Sequence, residues 1–183
     1  MVTVFLADGF EEIEAVTPID VLRRGGVSVR TCSITTSRLV TGAHNIPFYA
    51  DTTLNELTDE EDVILLPGGM PGTLNLKNCE ELKERILRHN EKGGLLAAIC
   101  AAPTIFGAFG ILQDKEATCF PGMEGELMAK KHLSEKVVFS GNVLTSRGAG
   151  TASDFAFRLL SLLKGEEIAR SLSDIMCYGE GER

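Results

Sequence analysis

The chain has 183 residues, of which 44% are hydrophobic, and its 26 acidic and 18 basic side chains give a net charge of −8. This length suits one domain with a sizeable core. The lack of a long apolar run argues against a membrane span, and the excess of acid argues against a nucleic-acid partner, because such binding depends on Lys and Arg neutralising phosphates. The number of cysteines is odd and none are spaced as Cys-x-x-Cys, so we expect no disulfide or metal framework and a reducing, cytoplasmic location; they are Cys32, Cys79, Cys100, Cys119 and Cys177.

The first segment, Val2 to Ala7, is apolar and predicts a strand. No basic region precedes it, so we do not expect a signal peptide. The acids of Glu11 to Glu14 suit the start of a helix, because carboxylates oppose its positive dipole end. Pro18 is expected to begin the helix proper after a short turn, and Arg23-Arg24-Gly25-Gly26 to end it.

The following elements are predicted from alternation, apolar runs and turn residues. They are a strand at 27–34, a small hairpin within 38–49, a helical turn at 53–57, a buried strand at 62–66, a loop through Pro71 and Gly72, and a helix capped by Asn78 and ending at Asn90. Between the buried strand and that helix, Pro67-Gly68-Gly69 forms a turn whose bare backbone can approach a ligand closely.

The second half repeats the alternation of strand and helix. It contains a buried strand at 95–99, a helix at 104–109, a short strand at 117–120, a helical turn within 121–131, a hairpin at 137–145, helices at 152–163 and 166–173, and a tail at 179–183 that we expect to fray. Such alternation across residues 1–183 predicts one α/β domain with a mostly parallel sheet, in either Rossmann-like or flavodoxin-like order. Neither Gly-x-Gly-x-x-Gly nor a P-loop is present, which argues against a nucleotide cofactor.

The stretch from Gly94 to Pro103 carries the main candidate for a functional residue. It is typical of a buried strand that runs into a sharp turn and then a helix. Cys100 falls on the turn, near a helix N-terminus, where the thiolate is favoured and where open parallel sheets place their ligands. We therefore interpret Cys100 as a candidate nucleophile; the alternative is a small apolar residue in a core turn.

Two further loops follow apolar strands and carry Glu11 to Glu14 and Gly68-Gly69. If the strands are neighbours, a thiol, a carboxyl and backbone N–H groups meet in one crevice, which suits covalent chemistry on a carbonyl with an oxyanion held by N–H groups. Glu11 and Glu12 are interpreted as a solvated face. Glu14 stands between apolar residues, and a buried protonated carboxyl there can donate a hydrogen bond to a thiolate.

The histidines are weaker candidates. His44 lies in a turn, His89 on a charged helix face that we expect to be solvated, and His132 in a polar loop. None follows Cys100 directly, although a partner distant in sequence stays open. Cys119 and Cys177 are interpreted as structural or incidental.

Four segments together are similar to the ThiJ/PfpI superfamily, in its DJ-1-like branch. In the family's order they are Phe10 to Val16 with Pro18 and Asp20, Leu66 to Gly69, Ala97 to Pro103, and Leu144 to Thr151. The resemblance implies a flavodoxin-like three-layer sandwich and a homodimer. It also implies that Cys100 is a nucleophile-elbow cysteine in a strained backbone conformation. Because the sequence has no nucleotide or metal motif, we expect no cofactor or metal.

The resemblance further implies roles for individual residues. It pairs Glu14 with the cysteine, makes Gly68, Gly69 and the Ala101 N–H an anion pocket, and places Arg24 and Arg38 near that pocket at the dimer interface. Some glyoxalase-active relatives use another histidine near the cysteine, for which His132 is the candidate here. Hydrolytic members carry histidine directly after the cysteine, and this chain has Ala101 there.

Three functions follow from this resemblance together with the residues. The first is a cofactor-independent glyoxalase or deglycase that acts on methylglyoxal, glyoxal or early glycated adducts through Cys100 and Glu14. The second is a redox-sensing oxidative-stress protein or chaperone with an oxidisable Cys100. The third, an intracellular cysteine peptidase, is disfavoured by Ala101.

Overall fold

The computed structural model describes residues 1–58 and 61–179. Its strands are β1 (Val2–Leu6), β2 (Val29–Ser33), β3 (Leu39–Thr41), β4 (Pro47–Tyr49), β5 (Thr52–Thr53), β6 (Val63–Leu66), β7 (Leu95–Ile99), β8 (Glu116–Ala117), β9 (Lys131–His132), β10 (Val137–Ser140) and β11 (Val143–Ser146). Its helices are α1 (Glu12–Arg24), α2 (Gly72–Lys77), α3 (Glu80–Glu91), α4 (Pro103–Ala108), α5 (Glu124–Leu127), α6 (Ala152–Lys164) and α7 (Glu166–Ile175), with 3-10 turns at Leu54–Glu56 and Ala149–Thr151.

The central sheet has seven strands among the described residues, in the order β10-β11-β7-β6-β1-β2-β5. All neighbours are parallel except the β10–β11 hairpin. The five strands β2-β1-β6-β7-β11 follow the flavodoxin-like order, which decides between the two orders that the sequence left open. The hairpin β3–β4 and the pair β8–β9 lie outside this sheet.

Helices cover both faces of the sheet, because alternate residues of each strand point to opposite sides. Val4 and Leu6 of β1 pack into one core with residues of α1 and α6. Phe5, between them, packs into the other core with residues of α3 and α4. The single-domain three-layer sandwich is confirmed. No helix in the described part of the chain is both long and apolar enough to cross a bilayer.

The entry into α1 differs from the prediction. Pro18 lies inside one continuous helix rather than at the start of a second one. Proline removes only the bond that its N–H would donate to the Glu14 carbonyl. Ala15, Ile19 and Leu22 on the same helix are buried in the core, and this packing maintains the helix across the proline.

Several other boundaries also differ. Helix α2 begins at Gly72, where a loop was predicted, and α3 begins at Glu80 with Cys79 rather than Asn78 at its N-cap. His89 is buried, not solvated, because its Nε2 lies 3.1 Å from the Leu95 carbonyl oxygen and is satisfied there. Beyond residue 179, the predicted frayed tail lies outside the described residues.

Candidate active site

Four neighbouring strands, β11, β7, β6 and β1, are parallel and end at one edge of the sheet. The chain that leaves β1 carries Glu14, the chain that leaves β6 carries Gly68 and Gly69, and the chain that leaves β7 carries Cys100. The fourth loop, after β11, brings Ala149 to the same place. The separate loops predicted from the sequence therefore do meet in one crevice.

Cys100 has a left-handed backbone with φ of 66°, which agrees with the strained elbow that the resemblance implies. For a residue with a side chain this conformation costs about 1–2 kcal/mol. Two backbone hydrogen bonds hold it: the Cys100 N–H donates to the Ser146 carbonyl at 2.9 Å, and the Phe120 N–H donates to the Cys100 carbonyl at 2.8 Å. The strained turn is thus fixed by the end of β11 and by Phe120, both of which are distant from it in sequence.

Glu14 is 1% exposed and lies against the thiol. Its carboxyl is hydrogen-bonded to the Cys100 side chain and accepts the N–H of Ala149. The Gly68 N–H donates to its Oε2 at 2.9 Å. The helix start presents Glu14 in this way because Glu11 caps α1, where its side chain accepts the Glu14 N–H at 2.8 Å. The predicted pairing of carboxyl and thiol is present in the structure.

The carboxyl and the thiol titrate as one unit. Burial raises the pKa of Glu14 from 4.5 to about 7. Burial also raises the pKa of the Cys100 thiol to about 12, and the negative charge of Glu14 contributes next. The pair therefore keeps one proton over a wide range above pH 7, so that either a thiolate faces a carboxylic acid or a thiol faces a carboxylate.

The thiol pKa is raised rather than lowered, contrary to the expectation from the helix start. Helix α4 has only six residues, and its short dipole is opposed by a carboxylate that contacts the sulfur. A thiolate at Cys100 consequently depends on a protonated Glu14.

Backbone N–H groups complete the surroundings of the sulfur. Those of Ala101 and Gly69 are directed at it and lower the thiol pKa. The Gly68 N–H serves Glu14 instead of this anion pocket. Gly68 is required for another reason: a Cβ there would stand 2.7 Å from both the Cys100 Cβ and the Glu14 Oε2.

The sulfur lies at the bottom of an open cleft of about 390 Å³. The residues around it are mostly apolar: Gly69, Met70, Cys100, Ala101, Phe120, Pro121, Gly122 and Met123. The cleft makes Cys100 accessible to a small molecule, whereas Glu14 is buried and is not among the residues that line it. Sequence reasoning missed Phe120, because only the bond from its N–H to the Cys100 carbonyl brings it to the site.

Three predicted residues lie elsewhere in this chain. Arg24 is at the far end of α1 from Glu14, about 15 Å along the helix axis, and bonds Asp20 at 2.7 Å. Arg38 is half-exposed and bonds Glu56 at 2.9 Å. His132 lies on β9 rather than in a loop and is not among the described residues that line the cleft. The part that Arg24 and Arg38 play at a dimer interface stays a prediction.

The start of α1 carries a second polar group that sequence reasoning missed. Glu12 is buried, contrary to its interpretation as solvated, and accepts both the His44 N–H and a bond from the His44 ring at 2.8 Å. Burial raises the pKa of Glu12, but these hydrogen bonds outweigh it and lower the pKa overall. With Glu11, ligand atoms of all three residues lie within 4.8 Å of one another, which is close enough to hold a cation. Their contacts with each other and with the α1 N-terminus already account for this arrangement.

Comparison with known proteins gives a consistent result. The model of the DJ-1/PfpI family matches residues 1–162. The chain is 42% identical over 171 residues to Protein DJ-1 homolog B of Arabidopsis thaliana, covering 92% of this chain but only 39% of that longer protein. It is 36% identical over 175 residues to glutathione-independent glyoxalase DJR-1.2 of Caenorhabditis elegans, covering 93% of this chain and 91% of the other. The structure of oxidized DJ-1 from Toxoplasma gondii superposes with a TM-score of 0.94 at 32% identity, covering 97% of this chain and 98% of the other.

Proposed function

The chain belongs to the DJ-1/PfpI family, and we propose that it is a glyoxalase that acts on small 2-oxoaldehydes such as methylglyoxal and glyoxal, or on their early adducts. The observation that carries this proposal is the Glu14 carboxyl, buried and hydrogen-bonded to the thiol of Cys100 at the base of an open cleft. The relative named a glutathione-independent glyoxalase supports the same activity.

The first step is addition of the Cys100 thiolate to the aldehyde carbon. The new C–S bond pushes an electron pair onto the aldehyde oxygen, and Glu14 gives its proton to that oxygen, forming a hemithioacetal. The N–H groups of Ala101 and Gly69 point at the sulfur, so they stabilise the thiolate before it attacks.

The second step moves hydrogen between the two carbons. The Glu14 carboxylate removes the proton from the former aldehyde carbon, the enediolate passes its hydroxyl proton to the neighbouring oxygen, and Glu14 returns its proton to the second carbon. One carbon is oxidised and the other reduced, so the step needs no external oxidant. Water then cleaves the resulting thioester, releases the 2-hydroxy acid and restores the thiolate and the protonated Glu14.

The test is lactate formation from methylglyoxal without glutathione. Wild type should form lactate, and Cys100→Ser should lose nearly all turnover because the hydroxyl is a poor nucleophile at its ordinary pKa. Cys79→Ser is a matched control, since Cys79 is a partly exposed cysteine outside the cleft. Full activity in Cys100→Ser would falsify the proposal.

A redox-responsive role is the second candidate, and one feature favours it. The sulfur of Cys100 opens into the cleft and is held by N–H groups that also suit the oxygens of a sulfinate. Mild peroxide followed by peptide mass analysis measures this directly. Selective oxidation of Cys100 in a protein inert toward methylglyoxal would favour the sensor over the enzyme.

We also expect a homodimer. Large apolar side chains are exposed on the first turns of α1 and on the adjacent β3–β4 hairpin; they are Ile13, Val16, Ile46 and Tyr49. Phe10 joins these two elements through an edge-on contact with Phe48. An exposed apolar patch of this kind is typical of an interface between subunits.

A further inference from the structure

A second cleft of about 450 Å³ lies beside the first. Phe120 and Pro121 line both clefts and form the wall between them. Gly148 and Ala149 also line the second cleft. They link it to the reacting pair, because the Ala149 N–H donates to the Glu14 carboxyl. A substrate held at the thiol therefore has room to continue past Phe120.

The walls of the second cleft are mostly apolar, like those of the first, but two cations, Lys136 and Arg147, are among the residues that line it. Val137 pairs with Ser146 in the hairpin register, so these two cations occupy the next opposed position. The Ser146 hydroxyl donates to the Lys136 carbonyl at 2.7 Å and keeps the two chains together there. Like charges directly opposite across a hairpin destabilise it, and an anion between them removes this cost.

The acids nearby neutralise these cations only in part. Lys136 Nζ lies 3.5 Å from an Asp154 carboxylate oxygen, and the Lys136 side chain is 70% exposed. The pKa of Glu124 is lowered mainly by backbone hydrogen bonds from Glu124 and Gly122, and the charge of Arg147 adds a smaller contribution. The bond from Arg147 to the Ser134 carbonyl is long, at 3.4 Å, and the buried Arg147 Nε has no partner among the described residues. Most of the five guanidinium donors thus stay available.

We propose that the second cleft binds a carboxylate carried by an extended 2-oxoaldehyde substrate, with Arg147 as the specificity-determining contact. This inference rests on the glyoxalase function proposed above. The planar fork of arginine suits a carboxylate, and the ring of Phe120 offers a surface for an aromatic or apolar spacer between the two groups. Because each cation already faces one acid, a singly charged group fits better than a doubly charged one.

The test compares kcat/KM for phenylglyoxal with that for 3- and 4-carboxyphenylglyoxal. Wild type should prefer at least one carboxylated isomer by about tenfold, which is the size of one charge-assisted hydrogen bond. Arg147→Gln should remove most of this preference, Lys136→Gln part of it, and Arg147→Lys should keep an intermediate value. Arg158→Gln is the matched control, because Arg158 lies on α6 and pairs with Glu166. The preference should also shrink as salt is added.

The outcomes separate the two proposals. Turnover of phenylglyoxal with no preference for either carboxylated isomer, or a preference that survives Arg147→Gln, overturns the inference and leaves the glyoxalase function standing. A wild type that turns over methylglyoxal but none of the three phenylglyoxals also overturns the inference alone, whereas a wild type that is inert toward methylglyoxal as well refutes the glyoxalase function instead. The cleft is then tested through protection of Cys100 from alkylation: benzoate should protect better than neutral benzamide, and Arg147→Gln should abolish the difference. Equal protection by both overturns the inference as well.

Discussion

Replacing Glu14 by Gln should make the protein more stable and less active at the same time. Glutamine has the shape of glutamic acid, can accept the Gly68 N–H that Oε2 accepts at 2.9 Å, and can donate to the sulfur. It cannot carry the proton between two carbons. Loss of a positioned acid–base group lowers turnover by about 10²- to 10⁴-fold, so lactate formation should fall by that factor.

The stability change follows from the raised pKa of Glu14. Below pH 4.5 the carboxyl is protonated in the folded and the unfolded chain alike, and the folded state has the full benefit of burying a neutral group. As pH rises from 4.5 through about 7, the unfolded chain ionises first and this benefit is lost. A rise in pKa from 4.5 to about 7 corresponds to about 3 kcal/mol by pH 8. Glu14→Gln does not ionise, so it should exceed wild type by up to about 3 kcal/mol at pH 8, or about 6–12 °C in Tm.

Urea unfolding of both proteins at pH 4 and pH 8 measures this difference. We expect the free energies of unfolding of Glu14→Gln and wild type to differ little at pH 4 and by the full amount at pH 8, together with the loss of turnover. An equal difference in unfolding free energy at both pH values would mean that the pKa of Glu14 is not raised in the folded protein, and the reasoning from its burial would be wrong. Glu14→Ala is the informative contrast, since it leaves the Gly68 N–H without an acceptor and should be less stable than Glu14→Gln by about 1–3 kcal/mol at both values.

Three further outcomes are expected. Gly68→Ala should lower turnover in steady-state assays by about 100-fold, because its Cβ displaces Cys100 and Glu14. The control Gly125→Ala has nothing within 4 Å of its Cβ and should keep full turnover. Glu61→Ala should destabilise by about 3–5 kcal/mol in urea, since Glu61 is 2% exposed and bonds Arg85 at 2.8 Å, and Glu61→Leu with Arg85→Met should recover most of this loss. Ile13→Glu should convert the expected dimer to a monomer in sedimentation; an unchanged mass would place the interface elsewhere.

Local patterns were enough to predict the elements that hold the reacting pair. The apolar run before Cys100 predicts a strand, the glycines at 68 and 69 predict a turn, and Glu14 stands among apolar neighbours on an otherwise acidic segment. Each of these signals lies within a few residues, and the strand order of a doubly wound sheet then brings the loops together. The position of the site is therefore contained in short-range sequence information.

The errors occur where distant contacts override local preference. Glu12 belongs to an acidic run, yet His44, 32 residues away, provides a partner that allows its burial. His89 lies among charged residues but reaches the carbonyl of Leu95 in the next strand. The raised pKa of the Cys100 thiol comes first from burial and then from the Glu14 carboxylate, and an argument from the helix start alone includes neither of these. For each of these residues, the partner that sets its burial or its pKa lies outside its local sequence.

The bond from the Cys100 N–H to the Ser146 carbonyl has a consequence for the growing polypeptide. Strand β11 is synthesised more than 40 residues after β7, and at 5–20 residues per second the delay is about 2–10 seconds, before counting the stretch inside the ribosome. During that interval the left-handed turn at Cys100 lacks one of its two restraints. The turn that carries Cys100 is thus fully restrained only after β11 has been synthesised, and a fragment that ends before β11 lacks this hydrogen bond.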